Sequence, residues 1–384
     1  TGVLIDSDAL YAYGEMLAER IDMSEGKIYE LAGETFNIGS PKQLGAVLFE
    51  KLGLPAPKKT KTGYSTAVDV LDKLEDRHPV IKEIKEYREL TKLKATYADG
   101  RAKVIAPDGR IHTNFQMTAT ATGRLSSTEP NLQNIPIRRE LGSERRSMFI
   151  AAPGCVLVDA DYSQIELRLL AHIADDEAML EAFKSGVDIH TVTAASVFGA
   201  EPGEVTPLMR SRAKAVNFGI VYGISAFSLS QDIGVTTGEA KVYIDSYFER
   251  FPGVRRYMTE IVERAKADGF VTTLFGRRRY IPELISKDHN VRSFGERVAL
   301  NMPIQGTAAD IMKIAMVSAA KALKNESPRS KLVLQIHDEL IIEAPESEAE
   351  AVAELLKREM EGAAQLRVPL TATAQWGKSW SAAK

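Results

Sequence analysis

"KLVLQIHDELIIEAP", residues 331–345, holds two branched-aliphatic runs, Leu332-Val333-Leu334 and Leu340-Ile341-Ile342, around the polar segment Gln335-Ile336-His337-Asp338-Glu339. Runs of this length predict buried strands, and their closeness predicts a hairpin. Tight hairpin turns favour Asn-Gly or Asp-Gly, which accept positive φ. This turn carries His-Asp-Glu instead. Asp is common in turns, so a solvated turn accounts for the segment taken alone. Two adjacent carboxylates at the tip of a buried hairpin also suit a metal site, provided another carboxylate arrives from elsewhere in the chain.

That carboxylate has a candidate in "CVLVDAD", 155–161, which reads as a buried strand running into the helical pattern "SQIELRLLAHIADD". Asp159 and Asp161 lie two apart, so they share one face of the strand. A buried strand that ends in carboxylates is costly unless they are paired or bound to a cation. Hard cations such as Mg²⁺ take oxygen ligands, commonly one or two carboxylates plus substrate phosphates. Asp161 and Asp338 are far apart in sequence, and spacing alone does not bring them together. They meet if a strand-end Asp and a hairpin-tip Asp sit on neighbouring strands of one sheet.

A third segment, "TPLMRSRAKAVNFGIVYG" (206–223), reads as a helix capped by Thr206 with Pro207 in its first turn. Arg210, Lys214, Phe218 and Tyr222 recur every four residues and form a slanting stripe, with Asn217 on the same stripe. A solvated face accounts for the cations and a core face for the aromatics. A ligand with a polyanionic end and a flat aromatic end, a nucleoside triphosphate, accounts for both. Arg grips phosphate with a directional fork and Lys as a point charge, while a ring offers the base a stacking surface. Gly219 and Gly223 are expected to let the base approach the backbone. The chain has no G-x-x-x-x-G-K-[ST], so a P-loop is excluded.

The rest of the 384 residues supports an α+β chain with a helical insertion. Residues 1–98 read as mostly helical, 103–150 as short strands and ordered loops, and 167–286 as mainly helical. The last hundred residues alternate a helix from Gly306, the hairpin, a second helix and a strand-like tail. The segment 51–65, "KLGLPAPKKTKTGYS", has four lysines and no acid, which suits a solvated linker or a grip on a phosphate backbone through Lys58, Lys59 and Lys61. Net charge is −3, so any basic surface must be local. The lone Cys155 forbids an intrachain disulfide and suits a reducing compartment. No apolar run approaches the length of a membrane span, and the first residues lack a signal-peptide pattern. The missing initiator Met points to a fragment or a processed chain.

"DYSQIELR" (161–168), "RSRAKAVNFGIVYG" (210–223) and "QIHDE" (335–339) resemble the three polymerase motifs of family A, the DNA polymerase I-like DNA polymerases. "TATGRLSSTEPNLQNIP" (120–136), "DIHTVTA" (188–194), "FGRRRY" (275–280) and "NMPIQGTAADIMK" (301–313) are similar to its supporting segments. The resemblance covers essentially the whole chain. It implies a right-hand polymerase fold: an antiparallel-sheet palm (103–166 and 287–384), helical fingers (167–286) and a helical thumb within 1–102. It implies that Asp161 and Asp338 meet and hold metal, with the main-chain carbonyl of Tyr162 as a further ligand. By the same resemblance Arg210, Lys214 and His190 bind the triphosphate, and Lys214 is a catalytic cation. Phe218 packs on the nucleotide, Glu166 with Tyr222 excludes a ribose 2′-hydroxyl, and Gln164 belongs to the nucleotide site. Arg124, Asn131, Gln133, Arg297, Asn301, Gln305 and His337 are matched to DNA contacts. Glu339 is an acidic neighbour of the metals, and Asp159 a structural carboxylate.

The implied activity is template-directed addition of deoxynucleotides to a primer 3′-hydroxyl by a monomer, with two Mg²⁺ ions that Mn²⁺ could replace. The implied partners are primer–template DNA and deoxynucleoside triphosphates, in the bacterial cytosol or nucleoid, with phage or organelle origins left open. "DSD" at 6–8 reads as a helix cap, and the chain opens inside the thumb, so no proofreading nuclease is expected from it. Two alternatives stand at this point. Asp159-Ala160-Asp161 resembles the D-x-D of metal-dependent glycosyltransferases, and a catalytically silent DNA-binding remnant would keep the same motifs.

Overall fold

The computed structural model describes residues 1–56, 63–135 and 145–384. In chain order its main elements are β1 (Val3–Ile5), α1 (Ser7–Ala32), α2 (Val80–Leu93), β2 (Arg110–Ile111), β3 (Asn114–Gln116), β4 (Ser126–Thr128), β5 (Phe149–Ile150), β6 (Cys155–Tyr162), α3 (Ile165–Ala174), α4 (Glu177–Lys184), α5 (Ile189–Phe198), α6 (Pro207–Val221), α7 (Ala226–Ile233), α8 (Thr237–Arg250), α9 (Pro252–Asp268), β7 (Phe270–Thr272), β8 (Arg278–Tyr280), α10 (His289–Glu326), β9 (Lys331–Ile336), β10 (Glu339–Pro345), α11 (Ala349–Glu361) and β11 (Ala372–Gly377). They gather into two units. One comprises Gly2–His112 with 145–150, the other Thr113–Ile135 with Ala151–Lys384.

The first unit is built on two helices. Asp6 caps α1 by accepting from the Ala9 N–H at 2.9 Å, and Gly33 closes it at φ 68. Both are expected end signals, since orphan N–H groups need an acceptor and the left-handed stop favours glycine. α1 packs on α2 through Ile28, Ile81 and Ile84, all fully buried, while the Ser24 hydroxyl donates to the Glu83 carbonyl at 3.0 Å. The branched run Val3-Leu4-Ile5 departs from the helical reading of the N-terminal segment. It forms the middle strand of a three-stranded antiparallel sheet, β2-β1-β5.

The second unit carries a four-stranded antiparallel sheet in the order β11-β6-β10-β9. β6 sits inside it, pairing with β10 from Glu339↔Asp161 to Pro345↔Cys155 and with β11 from Ala372↔Tyr162 to Gly377↔Leu157. β9 and β10 are the hairpin of 331–345, with a register shift at Ile341/Ile342. Val158 and Ala160 of β6 join Leu340 and Ile342 of β10 in a core closed by Leu356 of α11 and Ile311 and Ala315 of α10. Each such aliphatic side chain contributes about 1.5–3 kcal/mol on burial. That burial fixes the register, because a slip of one residue would turn every side chain to the opposite face.

Two expectations about local structure give way. The helix read from Gly306 begins instead at His289 and runs through Pro303. Proline removes one helical hydrogen bond, but Met302, Pro303 and Ile304 are all buried, and tertiary packing outweighs the loss. The Thr307 hydroxyl donates to the Pro303 carbonyl at 2.5 Å. Within the segment read as mainly helical, β7 and β8 form a short hairpin that turns at Gly276, φ 80, with the Phe270 and Tyr280 rings 5.7 Å apart. Three-residue strands give too short an alternation to stand out beside long helices. Among the described residues, no helix is long and apolar enough to cross a membrane.

Candidate active site

The register of β6 and β10 joins the two carboxylate segments. Glu339 lies opposite Asp161, and the Tyr162 N–H donates to the Asp338 carbonyl at 3.1 Å. Asp161 and Asp338 therefore occupy adjoining ends of neighbouring strands. The ring of Tyr162 is buried and its hydroxyl donates to the Met360 carbonyl at 2.7 Å, which anchors the end of β6 to α11. Burial pushes the Asp338 carboxyl up to about 6, and the charges of Glu166 and Glu339 push the same way against Arg124. Asp159, 4% exposed, is driven up to about 9 by burial and then by Glu339.

Beyond Tyr162 the chain turns into α3 through one unusual residue, Gln164, and the neighbouring hairpin holds another. Gln164 (φ 54) and, across the hairpin, His337 (φ 51) are non-glycine residues in the left-handed region, strain that tends to persist where function demands it. Arg168 secures the turn, its Nε donating to the Ser163 carbonyl and its Nη1 to the Pro369 carbonyl, both at 2.8 Å. Glu166 then falls in the first turn of α3. It accepts from Arg124 Nη2 at 2.6 Å and from the Tyr222 hydroxyl at 2.7 Å. Burial, reinforced by the Glu166 charge, pushes the Tyr222 phenol up to about 12, and Gln305 adds a hydrogen bond to it.

α6 begins as its sequence predicts, with the Thr206 side chain accepting from the Met209 N–H at 3.2 Å. Arg210, Lys214, Phe218 and Tyr222 line one side of a cleft of about 930 Å³, part of it open to solvent. Gln164, Glu166, His190, Arg124, His337 and Asp338 line the rest. Lys214 Nζ lies 6.0 Å from the centroid of the Phe218 ring, and the His190 ring 5.9 Å from it. Asn217 leaves the stripe: it is fully buried and sits 3.1 Å from both His190 Nδ1 and Thr193 Oγ1. The two glycines also serve otherwise than expected. A Cβ on Gly219 would meet Ile224 at 2.7 Å, and one on Gly223 would meet Leu300 of α10 at 3.0 Å. Their bareness lets the end of α6 pack against protein rather than a base, and Gly223 also needs φ 66.

Arg210 has a partner that the sequence does not reveal. Its guanidinium forks onto Asp188, the cap of α5, with Nε to Oδ2 at 2.8 Å and Nη2 to Oδ1 at 3.1 Å. Burial alone would raise the Asp188 carboxyl, but Arg210 and the Thr191 donors hold it down at about 2. His190, next in the chain but one and 2% exposed, is pushed down to about 4, chiefly by burial and further by the charges of Arg210 and Lys214. The Asn217 side chain bridges Thr193 Oγ1 and His190 Nδ1 and so fixes the orientation of the imidazole.

This burial has a pH signature. The unfolded chain binds a proton at His190 below about 6.5, whereas the folded one resists it until about 4. Between those values the unfolded state holds more protons, so stability rises with pH and is lost on acidification. The expected loss is on the order of 2–3 kcal/mol across that window, and His190→Gln should flatten it. Urea titrations of both proteins between pH 4.5 and 7 measure the difference. Parallel curves would show that His190 protonates freely.

Of the residues matched to DNA contacts, Gln133 Nε2 donates to the Gln335 carbonyl at 3.2 Å, and Gln335 Nε2 to the His337 carbonyl at 2.8 Å. The Asn131 side chain accepts from the Gln133 N–H at 2.9 Å. Arg124, Gln133, Gln335 and His337 border a small hollow, with Lys313, which the sequence reading passes over. Arg297 and Asn301 stand on α10, two turns and one turn before Gln305. Lys58, Lys59 and Lys61 lie outside the described residues. Arg277 was also missed. It forks onto Asp310 at 2.6–2.9 Å and lies where a Cβ on Gly123 (φ 82) would stand, 2.6 Å from Nε, so it underpins the loop carrying Arg124.

A twisted antiparallel sheet with carboxylates at its strand ends, facing a helix of cations and aromatic rings, is the architecture of a nucleotide polymerase. The chain belongs to DNA polymerase family A, whose model matches residues 7–382. It is 54% identical to DNA polymerase I of Bacillus subtilis over 386 residues, covering 100% of this chain and 44% of that protein. It is 52% identical to DNA polymerase I of Caldicellulosiruptor bescii over 381 residues, covering 99% of this chain and 45% of that one. The chain thus spans just under half the length of these curated relatives. Its fold matches the POL domain of Pol1 from M. smegmatis, solved in complex with DNA primer-template and dNTP, at a TM-score of 0.93 and 46% identity, covering 100% of this chain and 68% of that one. Family membership removes the glycosyltransferase alternative.

Proposed function

We propose that this chain is a template-directed DNA polymerase, in which a primer 3′-hydroxyl attacks the α-phosphorus of a deoxynucleoside triphosphate and pyrophosphate leaves. The observation that carries the reading is the β6–β10 pairing, which puts Asp161 next to the hairpin turn holding Asp338, a residue that lines the same cleft as Lys214. In this reading 103–166 and 287–384 are palm, 167–286 fingers and 1–102 thumb with the start of the palm. The enzyme works as a monomer on primer–template DNA in the cytoplasm.

The donor set fits a hard divalent cation. It is all oxygen: the carboxylates of Asp161 and Asp338 with the main-chain carbonyl of Tyr162. Among the described residues no group of three His, Cys, Asp or Glu side chains could hold a metal ion. A hard cation held by this set would take its remaining ligands from water and substrate phosphates. When bound, a pair of Mg²⁺ or Mn²⁺ ions supplies Lewis acidity to the 3′-hydroxyl and neutralises the leaving pyrophosphate. Arg210, Lys214 and His190 hold the triphosphate, with Arg210 exchanging Asp188 for phosphate. Phe218 stacks on the base, and Gln164 lines the floor. Arg124, Asn131, Gln133, Arg297, Asn301, Gln305 and His337 steady the primer–template duplex, to which Lys58, Lys59 and Lys61 add backbone contacts. Closure of α6 on a correct pair adds specificity beyond base pairing.

Primer extension with Mg²⁺ and four deoxynucleotides tests the activity. Elongated primer supports it, and duplex binding without elongation would make the chain a silent remnant. Glu166 gives a sharper prediction. Its carboxylate, held by Arg124 and Tyr222, fills the space next to the sugar in this reading. Glu166→Ala should raise relative ribonucleotide use by about 10²-fold, the scale on which shape alone rejects a hydroxyl. Deoxynucleotide extension should slow too, because Arg124 and Tyr222 lose the acceptor that orders them at the cleft. Single-nucleotide incorporation with matched ribo- and deoxynucleotides reads the ratio, and an unchanged ratio would refute the gate.

A further inference from the structure

Glu339 sits opposite Asp161 in the sheet and next to Asp338 in the chain, so charge and position both make it a third ligand for any cation bound there. Yet both its oxygens are engaged by the C-terminal tail, beside a further hydrogen bond with Asp159. Oε1 accepts from the Trp380 indole N–H at 2.8 Å, and Oε2 accepts from Lys384 Nζ. Lys384 Nζ also lies 3.9 Å from Asp161 Oδ2. The segment that delivers these groups is built for the purpose. Trp380 is fully buried, and the Ala382 and Ala383 N–H groups both reach back to the Ser379 carbonyl at 3.1 Å. The turn is so tight that a Cβ on Gly377 would stand 2.6 Å from the Ala382 carbonyl carbon.

We propose that Lys384, with Trp380, is a latch that holds Glu339 away from the metal site and so limits the protein's side-chain ligands to Asp161 and Asp338. This rests on the metal-site reading above. Lys384 is a positioning residue in this account, because it acts through Glu339. The benefit follows from coordination number: a third carboxylate binds a cation more tightly but takes a place that a substrate phosphate oxygen needs. The groups facing the ammonium are Glu339, Asp159 and Asp161.

The test is Mn²⁺ binding to the protein without DNA or nucleotide, read from the electron paramagnetic resonance signal of free Mn²⁺. Tail packing alone would not move this readout in the predicted direction. K384M keeps the aliphatic stem and removes the charge, and it should tighten Mn²⁺ binding about tenfold. The gain should vanish when E339Q/K384M is compared with E339Q. Unchanged or weaker binding in K384M, or a gain that persists without Glu339, overturns the latch. D161N separates the two claims. Lost binding in D161N beside an unchanged K384M rejects the latch alone, whereas wild-type binding in D161N rejects the metal site and the latch with it.

Discussion

Asp338→Ala is expected to slow primer extension by about 10³-fold or more while primer–template DNA still binds. The sheet does not depend on this side chain. Its pairing there runs through the main chain, from the Tyr162 N–H to the Asp338 carbonyl. The carboxyl is instead held against the interests of folding. Its value is raised to about 6 by burial, so between about 4 and 6 the folded state binds more protons than the unfolded one. Stability contributed by the neutral acid is lost as pH rises through that window, and at neutral pH the ionised group is a liability to the fold. Removing it should leave the urea midpoint at pH 7 unchanged or higher. A group kept at such a cost is best explained by its chemistry. A metal contributes several kcal/mol of charge stabilisation to the transition state, which corresponds to the loss stated. Asp161→Ala should behave alike. Rapid-quench extension beside a duplex-binding titration measures both, and wild-type rates in either variant would refute the assignment.

Lys214→Ala should lower kcat/KM for nucleotide by about 10²–10³-fold, the usual effect of deleting one preorganised charge partner. Lys214 lines the cleft one turn from Phe218, with its ammonium 6.0 Å from that ring's centroid. Among the described residues it has no carboxylate partner that would compensate in place of a phosphate, whereas Arg210 is already engaged by Asp188. Arg210→Ala should therefore cost less, because exchange of one anion for another recovers only the difference between them. Single-turnover incorporation at varied nucleotide concentration gives both values. An effect of Lys214→Ala on duplex affinity alone would move this residue from the nucleotide to the DNA.

Much of the site was legible because its determinants are local. Branched aliphatics announced β6 and the β9–β10 hairpin, Thr206-Pro207 announced the start of α6, and a spacing of four announced its cleft face. What escaped depends on neighbours remote in sequence. Pro303 reads as a break until its burial is known, since packing there outweighs a lost hydrogen bond. Asn217 shares the angular range of the stripe, yet buried contacts to His190 and Thr193 turn it inward. Gly219 and Gly223 read as openings for a base, but Ile224 and Leu300 fill those spaces. Asp188 caps α5, and nothing near it in the sequence shows that Arg210 shares it. Arg277 lies inside the segment "FGRRRY" without a role being visible, and nothing local marked Trp380 or Lys384; their partners Asp310 and Glu339 are brought to them only by the fold.

The most direct measurement of the central claim is an anomalous-difference map from crystals of the protein soaked in Mn²⁺ with a chain-terminated primer, its template and the next correct nucleotide. The account predicts manganese peaks in contact with the carboxylates of Asp161 and Asp338 and with the triphosphate, and none bound by Glu339. Manganese bound elsewhere in the cleft, or a filled nucleotide site with no metal at these two aspartates, would contradict it.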